Sequence, residues 1–216
     1  MQRELDLKHT VLEELEWEPS VNAAHIGVTV NQDVVTLSGG IGSYAEKLAA
    51  ERAVKRIAGV KGVANDLEVR PLLPMKRNDT EIAQAAVNAL QWDIQVPKDK
   101  VTVRVADGWL TLEGRVPYHY QKAAAEDSVR RLLGVRGVAN LIEVKPSVQA
   151  GDVKSRIEAA FQRSAEVDAR AIQVQALDGK VVLSGKVHSW AERDEAERAA
   201  WAAPGVRQVE DHLSVV

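Results

Sequence analysis

The stretch that decides the fold is VVTLSGGI at residues 34–41, because it recurs twice further along the chain. The second copy is WLTLEGRV at residues 109–116, and the third is KVVLSGKV at residues 180–187. Each copy carries a glycine at the same place, and the spacing of these glycines is roughly 70 to 75 residues. The chain therefore contains three copies of one unit.

A second repeated segment follows each of these stretches and closes the unit. It reads GVKGVANDLEV at 59–69, GVRGVANLIEV at 134–144 and GVRQVEDHLSV at 205–215. The two segments keep the same separation in all three copies, so length differences fall in the connectors. We therefore divide the chain into repeat one (residues 1–70), a proline-containing linker (71–78), repeat two (79–145) and repeat three (146–216).

The hydrophobic pattern inside each unit predicts the element order αββαβ. Strict alternation, as in Ile26, Val28 and Val30, predicts a strand with one covered face. Asp33, Asp107-Gly108 and Asp178-Gly179 mark the turns of hairpins. The third strand must lie beside a hairpin strand, with the second helix as the crossover. The sequence predicts an α+β protein of three tandem domains, each a three-stranded mixed sheet with two helices on one face.

These segments resemble the BON domain, a family named for bacterial osmotically inducible and nodulation proteins. The resemblance is carried by the hairpin ends Val35-Thr36-Leu37-Ser38-Gly39, Leu110-Thr111-Leu112-Glu113-Gly114 and Val181-Val182-Leu183-Ser184-Gly185, and by the closing segments. It covers essentially the whole chain. It implies a non-enzymatic stress protein, and anionic phospholipid as one known ligand class of the family. The chain resembles cytoplasmic proteins with three such domains.

Composition excludes several classes of protein. The net charge of −3 argues against a nucleic-acid binder, which needs a basic excess. Without cysteine, the chain has no disulfide and no thiolate zinc site. No apolar run approaches the ~20 residues of a transmembrane segment. The N-terminal residues include Glu4 and Asp6 where a signal peptide would be apolar, which predicts a cytoplasmic protein, or a periplasmic one if the natural N-terminus has been removed.

No constellation of residues points to catalysis. The five histidines have no familiar ligand spacing, and no nucleophile elbow or P-loop is present, so no catalytic residue, metal or cofactor is expected. The segment Gly39-Gly40-Ile41-Gly42 superficially resembles a phosphate-binding loop. Only its first glycine recurs, as Gly114 and Gly185, and we therefore interpret these three glycines as structural turn residues.

Aromatic residues that differ between the repeats are the candidates for binding. Trp109 is out of phase with Leu110 and Leu112, so it should project from the sheet face away from the helices. The alternative is packing against a neighbouring domain. Tyr118, Tyr120 and Trp190 crowd helix starts, where they serve as membrane-interface residues or as hydrophobic staples. The full set of candidate binding residues is Trp109, Arg104, Arg115, Tyr118, Tyr120, Trp190 and Trp201.

Two further tryptophans, Trp17 and Trp92, recur at the end of the first helix. Because they recur, we interpret them as structural residues that cover a small core or wedge between domains.

Two functional hypotheses follow. The first is a module that binds anionic phospholipid, using the aromatic and basic residues of repeat two. Residues 79–146 carry nine basic and nine acidic residues, whereas residues 1–70 carry eight and eleven. The second is a protein-interaction scaffold that holds protein partners or assembles into a homo-oligomer.

Overall fold

The computed structural model of the protein describes residues 2–70, 77–145, 152–165 and 167–216. Most of the predicted linker 71–78 and the predicted start of repeat three at 146 lie outside these residues. Repeat one comprises α1 (Gln2–Trp17), β1 (Ile26–Asn31), β2 (Val34–Ile41), α2 (Tyr44–Lys55) and β3 (Gly62–Val69). Repeat two comprises α3 (Asp79–Trp92), β4 (Val101–Ala106), β5 (Trp109–Val116), α4 (His119–Val129), β6 (Gly137–Asn140) and β7 (Glu143–Val144). Repeat three comprises α5 (Val153–Arg163), β8 (Ile172–Leu177), β9 (Lys180–Val187), α6 (Trp190–Ala202) and β10 (Gln208–Val215).

Each repeat builds one mixed sheet with its second strand in the centre. In repeat one, β1 and β2 pair antiparallel with Val28 opposite Leu37, and β3 adds in parallel with Asn65 opposite Leu37. Repeat three has the same arrangement in β8, β9 and β10. In repeat two the third strand is interrupted after Asn140 and resumes as the short β7, which pairs with β5. The predicted α+β fold of three αββαβ units is confirmed.

Both helices of a repeat cover the same face of its sheet. In repeat one, Leu15 of α1 and Val54 of α2 are fully buried in one cluster with Val35 and Leu37 of β2. In repeat three the corresponding cluster contains Ile157, Phe161, Val181, Leu183, Ala196 and Ala200. The buried strand residues are alternate residues, because successive side chains of a strand point to opposite faces. One face of each sheet is thus the core side.

The second helices of repeats one and three begin at capping serines. The Ser43 hydroxyl accepts from the Glu46 N–H at 3.2 Å, and Ser189 accepts from Glu192 at 3.1 Å. Glu46 and Glu192 also accept hydrogen bonds from residues that precede their helices. Glu46 accepts from the N–H groups of Gly42 and Asn22, and Glu192 accepts from those of His188 and Asp168. Each carboxylate therefore ties the helix start to the segment before the first strand.

The three recurring glycines lie inside strands, so their interpretation as turn residues is wrong in location. Gly39 is part of β2, opposite Ile26, and has a φ of +122°. Gly114 and Gly185 have φ values of +148° and +135°. A Cβ on any of them would collide with a backbone carbonyl oxygen, namely that of His25, Lys100 or Ala171. Glycine is required because the neighbouring chain approaches closely at a positive φ.

We expect Gly39→Ala to destabilise the protein more than Gly59→Ala. Gly59 also has a positive φ, +90°, but a Cβ there meets no atom within 4 Å. Gly59→Ala should cost about 1 kcal/mol from backbone strain. Gly39→Ala adds the collision with His25 and should cost about 2 to 4 kcal/mol. Urea unfolding followed by circular dichroism measures both, and equal losses would contradict the close approach.

Candidate binding site

The start of α4 presents two exposed tyrosines. Tyr118 and Tyr120 are 50% and 55% exposed, and their rings stack with centroids 5.7 Å apart. The Tyr118 N–H donates to the side-chain oxygen of Gln121 at 3.3 Å, which anchors the backbone of this helix start. Gln121 occupies the position of Glu46 and Glu192 in the other repeats. Because each of these tyrosines is about half exposed, the two form an exposed aromatic pair.

Arg115 is engaged in an ion pair across the sheet. Its Nε donates to Glu143 Oε2 at 3.0 Å, and Lys145 Nζ lies 3.6 Å from the same oxygen. Arg115 and Glu143 are register partners in β5 and β7. The hydrogen bond from Arg115, together with the charges of Arg115 and Lys145, lowers the pKa of the Glu143 carboxyl, which stays ionised near neutrality. The charge of Arg115 is therefore largely compensated.

Trp109 lies on the sheet of its own repeat. It is 56% exposed, and its ring covers the backbone of Gly137 so closely that a Cβ there would collide with ring atom Cζ3. Gly137 thus makes room for the indole. Arg104 of β4 is exposed and forms no ion pair within the described parts of the chain. Trp109 and Arg104 are both open to a ligand.

Trp201 and Trp190 are half-buried and have partners within the protein. The Trp201 ring stacks on His119 of repeat two, with centroids 4.1 Å apart and planes 10° apart. Its Nε1 donates to Glu197 at 3.3 Å. The Arg193 guanidinium lies over the Trp190 ring, 5.0 Å from the centroid. The Trp201–His119 stack joins repeats two and three, a role that periodicity alone does not reveal.

Tyr44, at the position equivalent to His119, also contacts the repeat that follows it. Burial raises the pKa of the Tyr44 phenol, and the nearby Glu126 carboxylate raises it further, while a hydrogen bond with the Val138 backbone opposes them. Glu126 and Val138 belong to repeat two. At two places, therefore, an aromatic residue at the start of a second helix connects consecutive repeats.

The interpretation of Trp17 and Trp92 as covers of a core is wrong. Trp17 is 82% exposed and Trp92 is 87% exposed. Both stand at the last residue of a first helix, beyond the turn that buries Leu15 or Leu90. Their recurrence marks an exposed feature that repeats one and two share. In repeat three the equivalent residue is Arg163.

No cluster of three or more His, Cys, Asp or Glu side chains in the described ranges could hold a metal ion. None of the helices in those ranges combines the length and hydropathy of a bilayer-spanning segment.

The fold and the sequence pattern together define the class of protein. The BON domain family matches residues 4–71, 78–146 and 149–216. The chain belongs to the BON domain family and contains three tandem copies of the domain.

Among curated proteins, osmotically-inducible protein Y of Escherichia coli K12 is 31% identical over 130 residues. The match covers 58% of this chain and 65% of that protein, so it spans just under two thirds of the relative's length.

Two solved structures of CdsD, a structural protein of the type III secretion system of Chlamydia trachomatis, also match. One is 17% identical with a TM-score of 0.26, over 98% of this chain and 92% of that one. The other, a C-terminal domain, is 15% identical with a TM-score of 0.25, over 98% of both chains. At these scores the likeness carries no functional argument.

We expect the His119–Trp201 stack to weaken in acid. Burial, and secondarily the charge of Lys122, lower the pKa of the His119 imidazole below its usual value of 6.5. The unfolded state therefore binds the proton more readily than the folded state. The stability linked to this neutral imidazole is complete above pH ~6.5 and is lost as the pH falls below it.

The control for this prediction is His119→Phe, which keeps an aromatic ring but cannot titrate. Thermal unfolding at pH 7.5 and 5.5 should show a larger loss of Tm in the parent than in this variant. The other histidines contribute to both proteins alike. Identical pH dependence in the two proteins would contradict the role given to His119.

Proposed function

We propose that this chain is a stress-associated, non-enzymatic binding protein whose ligand is an anionic phospholipid surface. Membership in the BON family and similarity to an osmotically-inducible protein support the stress-associated class. The observation that carries the lipid proposal is the exposed Tyr118–Tyr120 pair at the start of α4. The cytoplasmic location expected from the sequence stays a prediction.

The physical basis of the proposal is the behaviour of tyrosine at a membrane surface. Its ring enters the apolar boundary of the headgroup region while its hydroxyl remains hydrated. Two rings side by side, on a helix start fixed by Gln121, offer this property without local rearrangement. Exposed cations of repeat two, such as Arg104, add attraction to an anionic surface. Because the chain as a whole is slightly acidic, this attraction is local and sensitive to salt.

A protein-interaction scaffold is the second candidate function, and a separate observation favours it. Trp17 and Trp92 are nearly fully exposed at equivalent positions of repeats one and two. Exposed tryptophans are typical anchors of protein interfaces. Glu13 and Glu16 lie close to Trp17 on α1, which makes that anchor unsuited to an anionic membrane. Two such anchors on one chain would give avidity for a partner or for a second copy of the chain.

We expect the double variant Tyr118→Ala/Tyr120→Ala to lose vesicle binding. Flotation with phosphatidylglycerol vesicles at low salt should show about tenfold weaker binding than the parent, equivalent to ~1.4 kcal/mol. The control is Leu133→Ala/Leu177→Ala, which removes two exposed apolar side chains from other surfaces and should bind like the parent. Binding of the parent should decline as salt increases, and neutral vesicles should bind less.

Absence of binding to anionic vesicles at low salt would overturn the lipid proposal. The second candidate is tested separately, by sedimentation velocity of the parent and of Trp17→Ala/Trp92→Ala. Concentration-dependent assembly that this variant abolishes would support a scaffold built on these tryptophans.

A further inference from the structure

A cleft between repeats two and three has the size of a small-molecule site. One wall is the interrupted third strand of repeat two, residues 140–145, and the opposite wall is formed by Trp201, Arg207 and Gln208 of repeat three. Lys122 of α4 also lines it. The cleft volume is about 980 Å³, at the upper end of the range for ligand pockets.

The cleft exists where repeat two departs from the other repeats. In repeats one and three the third strand runs unbroken for eight residues, whereas in repeat two it is interrupted at Leu141 and Ile142. Leu141 is 59% exposed, and its equivalents in the other repeats are the polar residues Asp66 and His212. An apolar side chain thus faces solvent in the cleft.

One cation of the cleft, Lys122, lacks the partners that its equivalents in the other repeats have. Lys47, equivalent to Lys122, donates to the Leu67 carbonyl at 2.8 Å, and Arg193 pairs with Asp211 at 2.6 Å. In repeat two the residue equivalent to Asp211 is the neutral Asn140. Within the ranges that the structure describes, Lys122 Nζ has no hydrogen bond or ion pair.

The Arg207 guanidinium on the opposite wall likewise forms no ion pair with a described residue. Among the described residues that line the cleft, the one carboxylate is Glu143, and it already pairs with Arg115 and Lys145. The lining therefore keeps an excess of positive charge on a chain whose net charge is −3.

The donors define the chemistry of the ligand. A guanidinium offers a planar pair of N–H donors that matches two oxygens of an oxyanion, and an ammonium supplies a point charge. Several cations around one space suit a dianion better than a single carboxylate. Trp201 and Leu141 supply apolar surface for the organic part of such a ligand.

We propose that the cleft lined by Lys122, Lys145 and Arg207 binds a phosphate monoester anion. The phosphate lies between the two walls, and Leu141 and Trp201 contact the attached carbon skeleton. A soluble sugar or glycerol phosphate and the headgroup of phosphatidic acid share this chemistry. The site is distinct from the Tyr118–Tyr120 pair and does not depend on vesicle binding by that pair.

The test is isothermal titration calorimetry of the full chain with glycerol 3-phosphate, and flotation with vesicles that contain phosphatidic acid. The cleft variant is Lys122→Gln/Arg207→Gln. The matched control is Lys98→Gln/Arg131→Gln, which removes two exposed charges elsewhere on repeat two. Circular dichroism verifies that both variants are folded. We expect the cleft variant to bind at least about tenfold more weakly and the control to bind like the parent.

The two binding experiments distinguish between the two possible sources of the phosphate group. Saturable binding of glycerol 3-phosphate that the cleft variant loses identifies a soluble ligand. Binding confined to phosphatidic acid vesicles, and lost in the cleft variant, identifies the lipid headgroup. No binding in either arm, or equal losses in the cleft and control variants, would overturn the proposal. Tyr118→Ala/Tyr120→Ala should retain glycerol 3-phosphate binding even where it no longer floats with phosphatidylglycerol vesicles, which separates the two proposals.

Discussion

The close approach of one backbone carbonyl to a glycine in the central strand is the constraint on which each repeat depends. At Gly39, Gly114 and Gly185 only hydrogen fits, and the positive φ is one that glycine adopts without strain. This contact fixes the register of the hairpin, and the hairpin's second strand is the template for the parallel third strand. The same strand leads directly into the second helix, so its register also determines where the aromatic residues at the helix start are presented.

The residues at the start of the second helix have different roles, although the fold of the repeats is the same. Tyr44 and His119 occupy equivalent positions, and both contact the following repeat. Tyr118 and Tyr120 flank His119 and remain in solvent. Tyr118 lies just before α4 and Tyr120 is the second residue of α4, and their rings stack on each other beside the contact that His119 makes with Trp201. In repeat two, the start of the second helix thus contacts repeat three and also presents exposed aromatic residues.

The sequence predicted the fold because three copies share the same local signals, and an accidental pattern would not recur three times. Trp109 is exposed, as its position in the strand alternation predicted. The prediction that Gly39 lies in a turn was wrong. A turn and a close approach of backbone within a strand both require glycine, so the sequence alone did not distinguish them. The interpretation of Trp17 and Trp92 as structural residues was wrong because a residue that recurs between repeats can be exposed in each of them. The Trp201–His119 stack and the cleft arise between repeats, and periodicity within one repeat carries no information about such contacts.

Hydrogen–deuterium exchange of the full chain, with and without phosphatidylglycerol vesicles, tests the central claim that repeat two presents the membrane-binding surface. The account predicts slower exchange for peptides that cover residues 118–122 at the start of α4. Peptides of the buried β2 and β9 serve as internal references, because their amides are protected in both conditions. Unchanged exchange at 118–122, together with new protection around Trp17 or Trp92, would contradict the account and assign the binding surface to the ends of the first helices.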